Sequence, residues 1–425
     1  MSSAAQPRPP GGESEPGSAV VDGTAVFRQD GEEGAPSVPA EARGELLALK
    51  SGAAFVCVRP DGDIRAGPVS GEGLYARDTR HLSELRLTVG GRQPVLLSSA
   101  VVSGHHAVIN ATNATLTGAA ETVAQETINI RRTAVIGERL YYEVRLHSFC
   151  PSTVRTTVEL VLAADFADVF EVRQVGRRSG GQTLAPSFRD GRLSFAYVAE
   201  DGQRRTTTIG LSPAPTRVDF DGQRGHVVWQ VELPPAQPYA LCVTIEADDP
   251  VQGARALEDV ASRLDDAHQV WESACARVTT DNELFDRFVE VSVRDVHALM
   301  MPAPGGVLPA AGIPWYVAPF GRDSLLTGCE ALMINPDVAH GTLLVLANLQ
   351  ASEDDAWRDA EPGKILHELR SGELARTGQV PHTPYFGTVD ATALFLMVAG
   401  GYYRWTLDLE TMALLRPAFD AALSW

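Results

Sequence analysis

One break in residue periodicity constrains this chain more than any other feature, and it falls at Asp249-Pro250. Before it, apolar residues recur every second position in short runs such as YYEVRLHSF, RLSFAYVA, HVVWQVELP and YALCVTIEA. Val, Thr, Tyr and Phe dominate these runs, and Asp190-Gly191, Asp201-Gly202 and Asp221-Gly222 punctuate them. Many short period-two segments divided by turn dipeptides predict an antiparallel sandwich over 45–248. After the break the spacing is helical: Leu257, Val260 and Leu264, then Leu284, Phe288, Val291 and Val296. Asp281 or Asn282 fits an N-cap. SLLTGCEALMI, AHGTLLVLANLQAS, TVDATALFLMVAGGYYRWT and LETMALLRPAFDAALSW read as further helices, with no strand signal between them. The expected organisation is a disordered Pro/Gly/Ser/Glu-rich tail over 1–44, the sandwich, a helical linker over 249–280 and an all-α region over 281–425.

Net charge is −18, which argues against nucleic-acid and anionic-membrane partners and is compatible with a neutral or cationic substrate. No apolar run approaches the roughly 20 residues that span a bilayer. The first residues lack the apolar core of a signal peptide. Five widely spaced cysteines without CxxC argue against zinc and against a disulfide framework, so a cytoplasmic location is expected. GxxxxGK[ST] and GxSxG are absent, and HELRS at 367–371 has Ser371 where HExxH needs its second histidine. No metal and no cofactor are expected.

Three loop segments of the helical region concentrate chemistry. AGIPWYVAPFGRDSLL (311–326) carries Trp315, Tyr316, Phe320, Arg322 and Asp323. EPGKILHELRSGEL (361–374) carries Lys364, His367, Glu368, Arg370 and Glu373; PHTPYFGTVDATALF (381–395) carries Tyr385, Phe386 and Asp390. Aromatic faces beside ionised groups suit a sugar, whose C–H faces pack on rings and whose hydroxyls take charge-assisted hydrogen bonds. Each segment also has an ordinary reading. Asp323 and Asp390 would serve as helix N-caps or first-turn acids worth about 1 kcal/mol each. Trp315 and Tyr316 would be half-buried packing, and His367, Glu368 and Arg370 a solvated surface network.

Together PWYVAPFGRDSLL, GKILHELRSGELA and YFGTVDATALF resemble the amylo-α-1,6-glucosidase (glycogen debranching enzyme) family in its bacterial form. GLYARDTRHLSELRLTVGGRQP (73–94) is similar to the sandwich domain that precedes the catalytic domain there, so the resemblance spans about 45–425. It implies a large antiparallel β-sandwich followed by a partial (α/α)6 barrel of the glucoamylase-like six-hairpin type. It implies an α-glucan or oligosaccharide substrate and inverting hydrolysis by two carboxylates roughly 6.5–9.5 Å apart. Carried over by position, Arg322 and Asp323 hold the terminal glucose, with Trp315 and Tyr316 at its pocket. His367, Glu368 and Asp390 are further sugar contacts, and Arg77-Asp78 forms a structural ion pair or turn. Arg322 favours the ionised form of Asp323, whereas a general acid must be protonated, so Asp323 is expected to bind rather than to catalyse. The acid and base are expected beyond Trp425. The last apolar helix runs to that residue without a stop signal, and 145 residues from Asp281 hold about four or five helices where a full barrel has twelve. The expectation is therefore the N-terminal part of a glycoside hydrolase, inactive by itself. The alternatives are a carbohydrate-binding or scaffold protein without catalysis, and a disaccharide phosphorylase of the same architecture.

Overall fold

Alternation along Glu84–Val89 turns Leu85, Leu87 and Val89 inward and leaves Arg86 in water. Along Arg224–Leu233 the inward set is Gly225, Val227, Trp229, Val231 and Leu233. Period two places one apolar face on each strand, and that face has to be covered. Two antiparallel sheets cover one another. The larger runs in the order Gln182–Arg189, Arg192–Val198, Arg204–Ser212, Pro238–Ala247, Leu140–Ser148, Ile128–Ile136, His106–Thr112, Val95–Ser103. The smaller runs Arg217–Asp221, Arg224–Leu233, Val154–Ala163, Glu84–Val89, Ile64–Arg65. Their inner faces share one core, with Trp229, Leu87, Leu160, Ile130 and Val144 buried in it. At Asp190-Gly191 both residues have positive φ (51° and 72°), as a two-residue hairpin turn of the primed type requires.

This computed structural model describes residues 46–67, 70–117, 122–175, 180–248 and 255–425. The expected tail over 1–44 and the expected boundary at 248–249 lie at or outside the edges of those residues. A third, four-stranded sheet (Leu47–Ser51, Ala54–Val58, Gly73–Ala76, Thr79–Leu82) and the short helix α1 (Val169–Val172) join the sandwich to the helical part. Phe55, Cys57 and Tyr75 from this sheet and Val172 from α1 share a core with Met301, Leu308, Ala310 and Val317.

The helical part contains α2 (Leu257–Ser273), α3 (Glu283–Leu299), α4 (Gly321–Ala331), α5 (Asp337–Asn348), α6 (Glu373–Arg376), α7 (Ala391–Thr406) and α8 (Leu409–Ser424). Val260 of α2 packs on Val135 and Tyr141 of the larger sheet. Asn282 is the N-cap of α3 and accepts from the Leu284 and Phe285 amides at 3.0 and 3.2 Å. α4, α5, α7 and α8 enclose a second core around Leu325, Leu343, Leu346, Phe395, Val398 and Leu415. The region is not all-α as expected, because Met300–Ala303 pairs with Gly306–Pro309 in a two-stranded hairpin. Four-residue strands are too short to show alternation, and Gly305, with φ of 92°, makes the turn. The architecture is thus a large antiparallel β-sandwich followed by a helical part of the (α/α)6 kind.

Candidate functional site

The three chemistry-bearing segments converge on each other through backbone pairing. Phe320 bridges Glu368, and Glu368 bridges Tyr385. The Gly321 amide donates to the His367 carbonyl at 3.0 Å, and the Leu369 amide to Pro319 at 3.1 Å. On the other side the amides of His367 and Glu368 donate to the Tyr385 carbonyl, and Arg370 to that of His382. Gly321 is required here, since a β-carbon would collide with the Leu366 carbonyl and approach Ala391 Cβ at 3.2 Å.

This pairing brings one cluster to the N-terminal ends of α4 and α7. Arg322 Nη1 lies 3.4 Å from Asp390 Oδ2, and its Nε lies 3.9 Å from Asp323 Oδ2. Asp390 occupies the N-cap position of α7 yet makes no capping bond with its side chain. Its carboxylate accepts instead from the Thr388 hydroxyl and Arg322. Burial pushes the Asp390 carboxyl up, but these two partners outweigh it and hold it below the usual range. His367 Nδ1 is buried with no hydrogen-bond partner among the described residues. Burial lowers the His367 pKa and Arg322 adds to this, against the pull of Glu368, Asp323 and Asp390. Its ring meets Phe320 and Tyr385 edge-on at 6.0 and 5.9 Å. The result is an open corner with two carboxylates, one guanidinium, one imidazole and aromatic edges. Among the described residues no group of histidine, cysteine or acidic side chains could hold a metal ion.

The remaining predicted residues have different places. Glu368 points away from this corner, because alternate residues of an extended segment face opposite sides. Its carboxylate is bonded by Arg370 Nε and lies 3.4 Å from His382 Nε2. Tyr316 is exposed at the rim, with the Arg173 guanidinium over its ring at 5.4 Å. Trp315 is half-buried against Val169, Phe170 and Leu374, and its carbonyl accepts from Arg370 Nη2 at 2.8 Å.

Arg370 and its neighbours form a junction around Asp78, which has the structural ion pair and turn expected of Arg77-Asp78, with a distant partner that no local pattern named. Asp78 lies in a tight turn with Arg77, both at positive φ, and accepts from Arg370 Nη1 at 2.8 Å and the Ser371 amide at 2.8 Å. Burial alone would lower the Arg370 pKa; Asp78 and Glu368 more than reverse it. Asp168 caps α1 through the Phe170 amide at 2.9 Å and accepts from the Leu374 amide at 3.1 Å. Burial pushes its carboxyl up to about 7, with Asp78 and Glu171 adding to the rise against those two amides. Glu373 accepts from the Tyr197 hydroxyl and the Glu200 amide, each at 2.8 Å. One signal was available, since Asp168-Val-Phe-Glu171 has the spacing of a capping box and forms one. The cross-domain partners had none, because they are up to 293 residues apart in sequence.

Comparison with known proteins adds the lineage. No curated protein matches the chain. Among solved structures, one described as a "Putative kojibiose phosphorylase from human microbiome" matches with TM-score 0.53 and 10% identity. The match covers 86% of this chain and 54% of that one, so the chain spans about half the length of this neighbour. The Slr1438 protein from Synechocystis sp. PCC 6803 overlaps less well: TM-score 0.32, 7% identity, 49% of this chain and 97% of that one. The heparan sulfate lyase HepC from Pedobacter heparinus gives 0.28 and 10%, over 50% and 37% of the two chains. Residues 49–244, which hold the sandwich, match the model of the N-terminal domain of (some) glycogen debranching enzymes.

Proposed function

We propose that this chain is part of a glycoside hydrolase acting on α-glucans, of the amylo-α-1,6-glucosidase type, and that the 311–395 corner binds the terminal hexose. The observation that carries this reading is the use of Asp390. A carboxylate at a helix N-cap position that leaves the cap unmade, and turns to Arg322 beside a His367 whose Nδ1 has no hydrogen-bond partner among the described residues, is arranged for a ligand. Asp323, Asp390 and Arg322 would bind sugar hydroxyls, with ionised groups making the stronger hydrogen bonds. His367 would donate or accept at one further hydroxyl, while Tyr316 and Trp315 border the pocket. Glu368 holds the 364–370 segment in place through Arg370.

Inverting hydrolysis needs a protonated acid opposite an ionised base. Asp390, held below the usual carboxylate range, does not suit the acid role, and neither catalytic carboxylate is assigned to a residue of this chain. A cytoplasmic location and the absence of a nucleic-acid partner belong to the same reading. Among the described residues no helix is long and apolar enough to cross a membrane.

Titration of the chain with glucose and maltooligosaccharides tests this. Binding that falls at least tenfold in both Asp323→Asn and Asp390→Asn supports the site. Equal binding by wild type and both variants would move recognition to the sandwich and favour the scaffold reading. Where turnover is seen, release of glucose 1-phosphate in phosphate buffer would replace hydrolysis with phosphorolysis.

A further inference from the structure

Trp357 stands at the tip of a small hairpin closed by Asp355 and Ala360. Their backbones exchange two hydrogen bonds, at 3.0 and 2.9 Å. The Asp355 carboxylate stiffens the tip by accepting from the Trp357 amide at 2.9 Å and from Arg358 Nε at 2.6 Å. The hairpin lies directly against the candidate site. The Phe386 amide donates to the Arg358 carbonyl at 2.8 Å. The Tyr385 hydroxyl reaches Asp359 Oδ2 at 3.5 Å, and Lys364 Nζ donates to the Asp359 carbonyl at 2.8 Å. Tyr385 in turn meets the His367 ring.

On this fixed support the indole is 50% exposed and makes no hydrogen bond through its ring nitrogen among the described residues. A half-exposed indole beside a polar corner offers an apolar face on which a ring can stack. The other exposed aromatic of the rim, Tyr316, already has Arg173 over its ring. Trp357 has no cation or ring stacked on it among the described residues, so its face is the open one.

We propose that Trp357 is the platform for a second sugar ring, adjacent to the hexose bound at Arg322 and Asp323, and that it makes the site selective for oligosaccharides over monosaccharides. This rests on the sugar-binding reading above. A pyranose would lay its C–H face on the indole while its hydroxyls stay hydrated at the rim. The gain would come from apolar contact that a lone glucose cannot make.

The test is calorimetric titration of the intact chain with glucose and with maltotriose. Trp357→Ala should weaken maltotriose by roughly five- to tenfold and leave glucose unchanged. Trp357→Phe, which keeps an aromatic face, should recover most of the loss. Asp323→Asn should weaken both sugars. Equal maltotriose affinity in wild type and Trp357→Ala, with glucose still bound, would overturn the platform and leave the sugar site standing. A parallel loss for both sugars would also overturn it, since Trp357 would then only shape the first subsite. Failure of the wild-type chain to bind either sugar would remove the underlying reading and the platform with it.

Discussion

At the residue scale, position 321 shows how little room the site has. Gly321→Ala would press a methyl group into the Leu366 carbonyl and break the pairing that carries His367. The expected outcome is loss of oligosaccharide binding and a fall in stability of about 1–3 kcal/mol, read from denaturant unfolding and titration of the same variant. Asp168 is a second single-residue test. Its folded pKa of about 7 lies above the ordinary aspartate value of 3.8. A raised carboxyl pKa contributes stability that is present below about pH 4 and is lost as pH rises through about 7. Asp168→Asn should flatten the slope of melting temperature against pH between about 4 and 8. An unchanged slope would show that the carboxylate stays ionised in the fold.

Elements are coupled through side chains that reach across them. Lys50 Nζ donates to the carbonyls of Ala298, Leu299 and Met300, at 3.0, 3.1 and 3.0 Å, where α3 ends. A cation there answers both the orphan carbonyls and the negative end of the helix. Lys50→Met should speed amide exchange through the last turn of α3 while leaving the strand over 224–233 protected; uniform exchange would sink this. The α3 face that its spacing made apolar is open in this structure, with Leu284 81% exposed and Phe288 and Val291 also exposed. Periodicity correctly predicted a helix there, because spacing is local, and could not say what would lie against it.

For the whole molecule, the junction between sandwich and helices is polar and buried. Arg370 lies between Asp78, in the turn of the joining four-stranded sheet, and Glu368 of the site segment. Removing one partner of such a pair leaves an uncompensated buried charge and costs on the order of 3 kcal/mol. Asp78→Ala should therefore separate one cooperative calorimetric transition into two, the helical part melting first. A single transition of unchanged midpoint would show that the apolar core around Phe55 and Tyr75 suffices. Acid should act at another seam, where His105 of the sandwich meets His268 and His297 of α2 and α3. Burial holds His297 down to about 4, with His268, His105 and Lys50 adding to it, and lowers the other two as well. A lowered histidine pKa contributes stability that is present above about pH 6.5 and is lost as pH falls toward about 4. His297→Phe should reduce that loss in an acid titration followed by fluorescence.

What the sequence determined by itself was everything periodic or contiguous. The change from period two to helical spacing divided the fold, the turn dipeptides placed hairpins such as Asp190-Gly191, and three loop segments were picked out by composition. These properties depend on neighbours a few residues apart. Only the tertiary structure decided that His367 turns to the open corner while, on the opposite face of the same segment, Arg370 turns inward to Asp78 and Glu368 to Arg370 and His382. It also set Asp390 against Arg322 instead of its own helix cap, and laid the hairpin that carries Trp357 against Tyr385 and Phe386. Those choices come from backbone pairing and charge contacts between segments far apart in the chain, and no local pattern encodes which distant partner arrives.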